Sequence, residues 1–141
     1  AIKIDFEFMI YHIVYGQLLA DTEEYEDALK EYEIAQEEYK DTPIYHYGCG
    51  ICYEGMGQME KAVPYFEKTL ELENVYAGAC EKLSDYYRDL YEKVYKPEYL
   101  EKAISYMTRQ IEADEDAYYL IGRGLLYLNN MYLNYYTFHV L

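Results

Sequence analysis

From Pro43 to Asn74 the apolar residues fall into two short helical rhythms separated by a break. In the first, Tyr45, Cys49 and Tyr53, with Gly50 between them, recur at spacings of three and four, which places them on connected faces of a helix over about 43–56. Gly57-Gln58 interrupts the pattern, and glycine ends a helix at little cost because it tolerates positive φ. The rhythm resumes at Met59, Ala62, Val63, Phe66 and Leu70, so a second helix folds back on the first as an αα-hairpin. Pro43 suits a helix start, and Pro64 lies in the early turns of the second helix. Gly50 and Ala62 are small where the two backbones should approach, with Tyr53 and Phe66 supplying bulk beside them. A single hairpin of this kind cannot bury both of its apolar faces and needs neighbours.

Those neighbours are visible at a fixed interval. Gly16, Gly50 and Ser84 are evenly spaced, and the same interval separates Ala28 from Ala62 and Tyr32 from Phe66. On these residues the chain resembles the tetratricopeptide repeat family, in which glycine, alanine and an aromatic recur in register with a period of about 34 residues. The resemblance implies an all-α, right-handed αα superhelix, a solenoid of about four hairpins. Residues 1–7 correspond to the end of a preceding repeat, 9–42 to repeat 1, 43–76 to repeat 2, 77–114 to repeat 3 and 115–141 to a degenerate repeat 4. In repeat 3 the alanine arrives as Ala103, seven residues late. Seven is close to two helical turns, so about one turn added to each helix preserves the buried faces. A longer third hairpin is predicted, with Pro97 near the start of its second helix. Repeat 4 begins near Asp116, with Gly122 in the small position.

Ala1 lies one such interval before Ala35, so the sequence is expected to start mid-repeat, as a segment of a longer array. Ile2, Ile4, Phe6 and Phe8 at one end, and Leu125, Leu128, Met131, Leu133, Phe138, Val140 and Leu141 at the other, predict apolar end helices open to self-association.

Composition narrows the function classes. A hydrophobic fraction of 52% excludes disorder, and no apolar run reaches the roughly 18 residues a membrane span needs, so no membrane partner is expected. The net charge is −15, and phosphate binding needs a basic footprint, so no nucleic-acid partner is expected. Glu23, Glu24, Glu26, Asp27, Glu31, Glu33, Glu37 and Glu38 are assigned to a solvated outer face of the first repeat's second helix. Tyrosine is abundant, with 22 residues and no tryptophan. Tyr15, Tyr32, Tyr53, Tyr65, Tyr87 and Tyr106 are read as packing residues with their hydroxyls at the edge. Three cysteines, spread over packing positions, indicate a reducing, cytoplasmic compartment rather than a disulfide framework.

Chemistry-bearing groups are few. His46, Cys49 and Cys52 share a helical stripe, with Cys80 available from the next unit, a spacing a thiolate metal site could use. The same positions hold small packing residues in the family, and free cysteine packs as a small hydrophobe, so no metal and no cofactor are assigned. His12 and His46 occupy equivalent positions one period apart, which argues for packing over catalysis. No phosphate loop, nucleophile elbow or paired zinc-histidine motif is present, and the chain is read as not an enzyme.

The resemblance implies a binding groove lined by the first helix of each pair. The candidate wall residues are Ile13 and Gln17, then Tyr47, Ile51 and Glu54, then Glu81, Asp85 and Arg88, then Tyr119 and Arg123. Such a wall would suit a protein or peptide segment with an apolar anchor and a charged part. A family subgroup that grips acidic chaperone tails uses a Lys, Arg and Asn clamp; of the comparable positions here only Lys82 fits, which argues against that role. The function implied is a non-enzymatic protein-interaction scaffold. The alternative is a regulatory arm of a larger enzyme or signalling receptor.

Overall fold

The computed structural model describes residues 6–113 and 118–139, and every regular element among them is an α-helix. In chain order they are α1 (Phe6–Asp21), α2 (Tyr25–Tyr39), α3 (Pro43–Gly55), α4 (Met59–Leu72), α5 (Ala77–Val94), α6 (Pro97–Ala113) and α7 (Tyr118–His139). They fall into two compact units, Ala1–Glu73 and Asn74–Leu141. In the first, α1 pairs with α2 and α3 with α4, and α3 also packs against α2 and α1. In the second, α5 pairs with α6, and α7 lies against α6. No described helix is long and apolar enough to cross a membrane.

The hairpin turns repeat as closely as the sequence does. Gly57 has φ +72°, and Glu23, one period earlier, has φ +65°. Around Glu23, the Glu24 N–H bonds to the Leu19 carbonyl at 2.8 Å and the Glu23 N–H to Ala20 at 3.1 Å. Around Gly57, the Gln58 N–H bonds to Tyr53 and the Gly57 N–H to Glu54, both at 2.8 Å. Each turn is therefore a left-handed residue closing the last carbonyls of the first helix. The third pair also turns at a left-handed residue, Tyr95 with φ +53°, but closes differently, its N–H bonding four residues back to Tyr91 at 2.7 Å.

The regular period would put that residue at position 91, so α5 has gained four residues before the turn. The remaining three of the seven precede Ala103 in α6, which begins at Pro97. The two helices run to 18 and 17 residues against 13 and 14 for α3 and α4. About one turn has been added to each, and the buried faces are kept.

Packing in the first unit is built on aromatic rings seated over glycines. Tyr32 of α2 is buried between two of them. A Cβ on Gly16 of α1 would meet its ring at 3.2 Å, and a Cβ on Gly48 of α3 would collide with it outright. Phe66 of α4 lies over Gly50, where a Cβ would meet ring carbons at 2.6 and 2.8 Å, and the Tyr25 ring occupies the space beside Gly55. Gly50 is thus small where it admits a ring. These rings sit on a core of Ile13, Leu19, Ala20, Ala28, Ala35, Tyr45, Cys49 and Cys52. Helix α4 continues through Pro64, its sixth residue, which has no N–H to give to the helical ladder.

The second unit is centred on Leu83, Ser84, Tyr87, Tyr91, Leu100, Ala103 and Leu128. Tyr87 stacks with Tyr99 and Tyr106 at centroid distances of 6.2 and 5.9 Å, and the Lys102 ammonium lies 4.7 Å above its ring. The expected fourth hairpin is, within the described residues, one uninterrupted 22-residue helix. No glycine stands near Asn129-Asn130 to end it, and Leu128, Met131 and Tyr135 continue the helical spacing. Gly124 is the α7 glycine seen to face α6, since a Cβ there would meet the Met107 methyl at 2.9 Å; the position expected for that role was Gly122, whose surroundings lie outside the description. The expected tails at 1–5 and 140–141 also lie outside it.

Candidate functional site

The first unit carries one part of the anticipated wall on α1 and α3. Tyr47, Ile51 and Glu54 are spaced i, i+4 and i+7 along α3, which puts them on one stripe, and all three are half-exposed. Tyr47 leans toward Phe66 of α4 with ring centroids 5.8 Å apart. Gln17 on α1 is exposed. Ile13 is a correction: it is only 2% exposed and belongs to the core. The cause is that α1 packs against both α2 and α3, so the position facing inward along α1 is closed while its counterpart on α3 is partly open.

In the second unit, Glu81, Asp85 and Arg88 take the same spacing on α5. Glu81 is exposed and the other two are half-exposed. Arg88 is already engaged, with Nη1 2.8 Å from Asp85 and Nη2 3.5 Å from Asp89. This stripe offers carboxylates and one guanidinium held by its own helix, so an incoming carboxylate must compete with Asp85. Tyr119 and Arg123 lie on α7, but their side chains fall outside the described residues. The structure therefore assembles Tyr47, Ile51 and Glu54 on one helix face and Glu81, Asp85 and Arg88 on another.

Sequence reasoning missed a cleft at the tip of the second unit. Tyr95 and Lys96 from the α5–α6 turn, Pro97, Glu98 and Tyr99 from the start of α6 and Tyr135 from α7 line a shallow, open cleft of about 480 Å³. The signal was the run of tyrosines at 91, 95 and 99 around Pro97, which a period-based reading treats only as an insertion.

The groups with reactive potential are enclosed. Cys49, Cys52 and Cys80 are free and buried. Burial pushes the Cys49 and Cys52 thiols up to about 12, and raises that of Cys80, so they stay protonated and are poor nucleophiles and ligands. Among the described residues no three His, Cys, Asp or Glu side chains are placed to hold a metal ion.

His12 donates from Nδ1 to the Glu31 carboxylate at 2.5 Å, an ion-pair geometry across α1 and α2 that was not anticipated. Glu31 thus turns partly inward and leaves the solvated acidic face to which it was assigned. The other nitrogen, Nε2, is buried without a partner beside the rings of Phe8 and Tyr11. A histidine–carboxylate pair is half of a general-base arrangement, but here the second ring nitrogen is buried away from solvent. His46, one period later, donates from Nε2 to the Lys40 carbonyl at 2.6 Å, so the repeated histidines hold neighbouring segments together.

No protein-family model and no curated protein matches this chain.

Proposed function

We propose that the chain is a tetratricopeptide-type scaffold that binds a protein or peptide segment and performs no chemistry of its own. The observation that carries this reading is the repetition, one period apart, of an entire hairpin device. The left-handed turn residue, its two closing hydrogen bonds and an aromatic ring seated on the paired helix's glycine recur from α1–α2 to α3–α4. Such units stack through their long faces and leave the first helices free for a ligand. On α5, in the other unit, a separate stripe carries Glu81, Asp85 and the ion-paired Arg88; on α3 the stripe offered to the ligand is Tyr47, Ile51 and Glu54, an aromatic and aliphatic anchor ending in a carboxylate. The ligand that fits is an extended or helical segment with an apolar residue followed by a basic one. Location in the reducing cytoplasm is part of this reading and rests on three cysteines held as thiols.

The test is selection from a random peptide display library on the purified chain, followed by affinity measurement against variants. Enriched peptides should share an apolar residue next to Lys or Arg. Their affinity should fall about tenfold or more with Tyr47→Ala or Ile51→Ala, and should be unmoved by Glu37→Gln on the outer face of α2. Enriched peptides that bind every variant equally would remove the groove from consideration.

A further inference from the structure

The tyrosines of the second unit differ in the charge they face. The Lys102 ammonium lies 4.7 Å above the Tyr87 ring, and the Arg109 guanidinium 5.8 Å from the ring of Tyr106. A cation held over a ring opposes removal of an electron from it. Tyr132 of α7 faces the opposite sign, because its hydroxyl donates to the Glu101 carboxylate of α6 at 3.0 Å. A carboxylate in that place stabilises positive charge on the ring and accepts the phenol proton when the ring is oxidised.

Tyr132 also ends a continuous file of rings. Its centroid is 4.6 Å from that of Tyr136, which lies 5.7 Å from Tyr135; Tyr135 meets Tyr91 at 6.3 Å, and Tyr91 meets Tyr95 at 5.9 Å. Tyr95, at the other end, is 61% exposed. An electron removed at Tyr95 is replaceable from the next ring in contact, and the vacancy settles where a base takes the proton. Hydrogen bonds to Tyr136 and Glu101 hold the Tyr132 phenol above the ordinary tyrosine range, so at neutral pH its proton is still there to be lost with the electron.

We propose that Tyr132 is a redox-active tyrosine, the residue of this chain on which an external one-electron oxidant acts preferentially. The oxidant gains an electron from the ring, the O–H bond breaks, and the proton passes to Glu101, leaving a phenoxyl radical beside a neutral carboxyl group. A second equivalent of oxidant does the same at Tyr136, whose proton goes to solvent. Coupling of the two radicals forms a carbon–carbon bond between ring positions ortho to the hydroxyls, and the hydrogens on those carbons return to the oxygens. The net change is two electrons to the oxidant, two protons released, and a dityrosine staple between neighbouring turns of α7. The site belongs to the second unit and stands independently of the Tyr47 stripe.

The test oxidises the full chain at low conversion with ruthenium(III) tris-bipyridine, generated by light with a cobalt(III) ammine as electron acceptor. Products are located by mass spectrometry after trypsin. The peptide that follows Arg123 should lose two hydrogen atoms, with fragmentation suppressed between Tyr132 and Tyr136. Tyr132→Phe should abolish that product while circular dichroism stays unchanged. Glu101→Gln keeps an acceptor for the hydroxyl but supplies no base; it should lower the yield about tenfold, and added imidazole should restore it. Undiminished yield in Glu101→Gln, a loss that imidazole does not repair, or products spread evenly over the exposed tyrosines of the unaltered chain would overturn the proposal.

Discussion

Replacing Gly48 by alanine should destabilise the first unit, although the same change in most helices stabilises. Glycine to alanine in a helix interior gains about 1 kcal/mol through backbone entropy and propensity. Here the added methyl would lie within 2.5 Å of the Tyr32 hydroxyl and 2.9 Å of Cε1, and closer still to Cζ. The ring has little room to swing aside, because Gly16 of α1 lies against it on the other side and Tyr45 meets it edge-on at 6.4 Å. Overpacking of a confined site costs about 1–3 kcal/mol, and a ring held from both sides belongs in the upper half of that range. The net expectation is a loss of about 1–2 kcal/mol.

Urea titration followed by circular dichroism reads the loss, and amide exchange should place it at α2 and α3 rather than α5 or α6. The decisive comparison is made in a Tyr32→Leu background, where the obstructing ring is gone. There Gly48→Ala should change sign and stabilise by about 1 kcal/mol, a coupling expected only of residues in contact. If Gly48→Ala raises the urea midpoint with Tyr32 in place, the ring is not seated as described and the reasoning fails.

Glu23 and Gly57 hold the same left-handed conformation one period apart, so exchange in either direction is informative. Glu23→Gly should raise stability and Gly57→Ala lower it, each by about 1 kcal/mol, in thermal or urea melts. Cys49 and Cys52 should resist a thiol reagent at neutral pH until the chain unfolds, which timed absorbance at several urea concentrations measures. Their raised folded-state values, about 12 against an ordinary 9, carry a pH dependence with a definite sign. The stabilisation they give is full below pH 9 and is lost as pH rises from there toward 12, because the unfolded thiols ionise first; melts across that window should show a falling midpoint, shallower in a Cys49→Ala, Cys52→Ala variant. Arg109 binds the Asn74 side chain at 2.5 Å and its carbonyl at 3.0 Å. Arg109→Ala should cost about 1 kcal/mol or less at this exposed site and quicken amide exchange at the start of α5.

The features legible in the sequence were those that repeat within one hairpin. Gly16, Ala28 and Tyr32 announce the first pair because Gly50, Ala62 and Phe66 restate it, and the late Ala103 gave the length of the third. A contact between pairs has no such restatement. Gly48 and Gly55 are glycine because of Tyr32 and Tyr25 in the preceding helix, and that reason is invisible until the helices are placed. Ile13 occupies the position of Tyr47 but is closed off by a neighbour that its own helix pattern does not mention. The positive φ at Glu23 was hidden under a residue that usually avoids it; only the glycine one period later betrayed it. In α7 the apolar residues were read as a fading repeat, when an unbroken helical spacing was the simpler description.

The extra turns of α5 and α6 also support something built on top of them. Tyr135 of α7 meets Tyr91 at 6.3 Å and shares the cleft wall with Tyr95 and Pro97, all near the lengthened tip. Lower down, the Tyr132 hydroxyl donates to Glu101 at 3.0 Å. Trimming the tip to the regular repeat length would take away the ledge on which the C-terminal half of α7 rests. What looks like an indel tolerated between repeats is therefore the footing of the last helix.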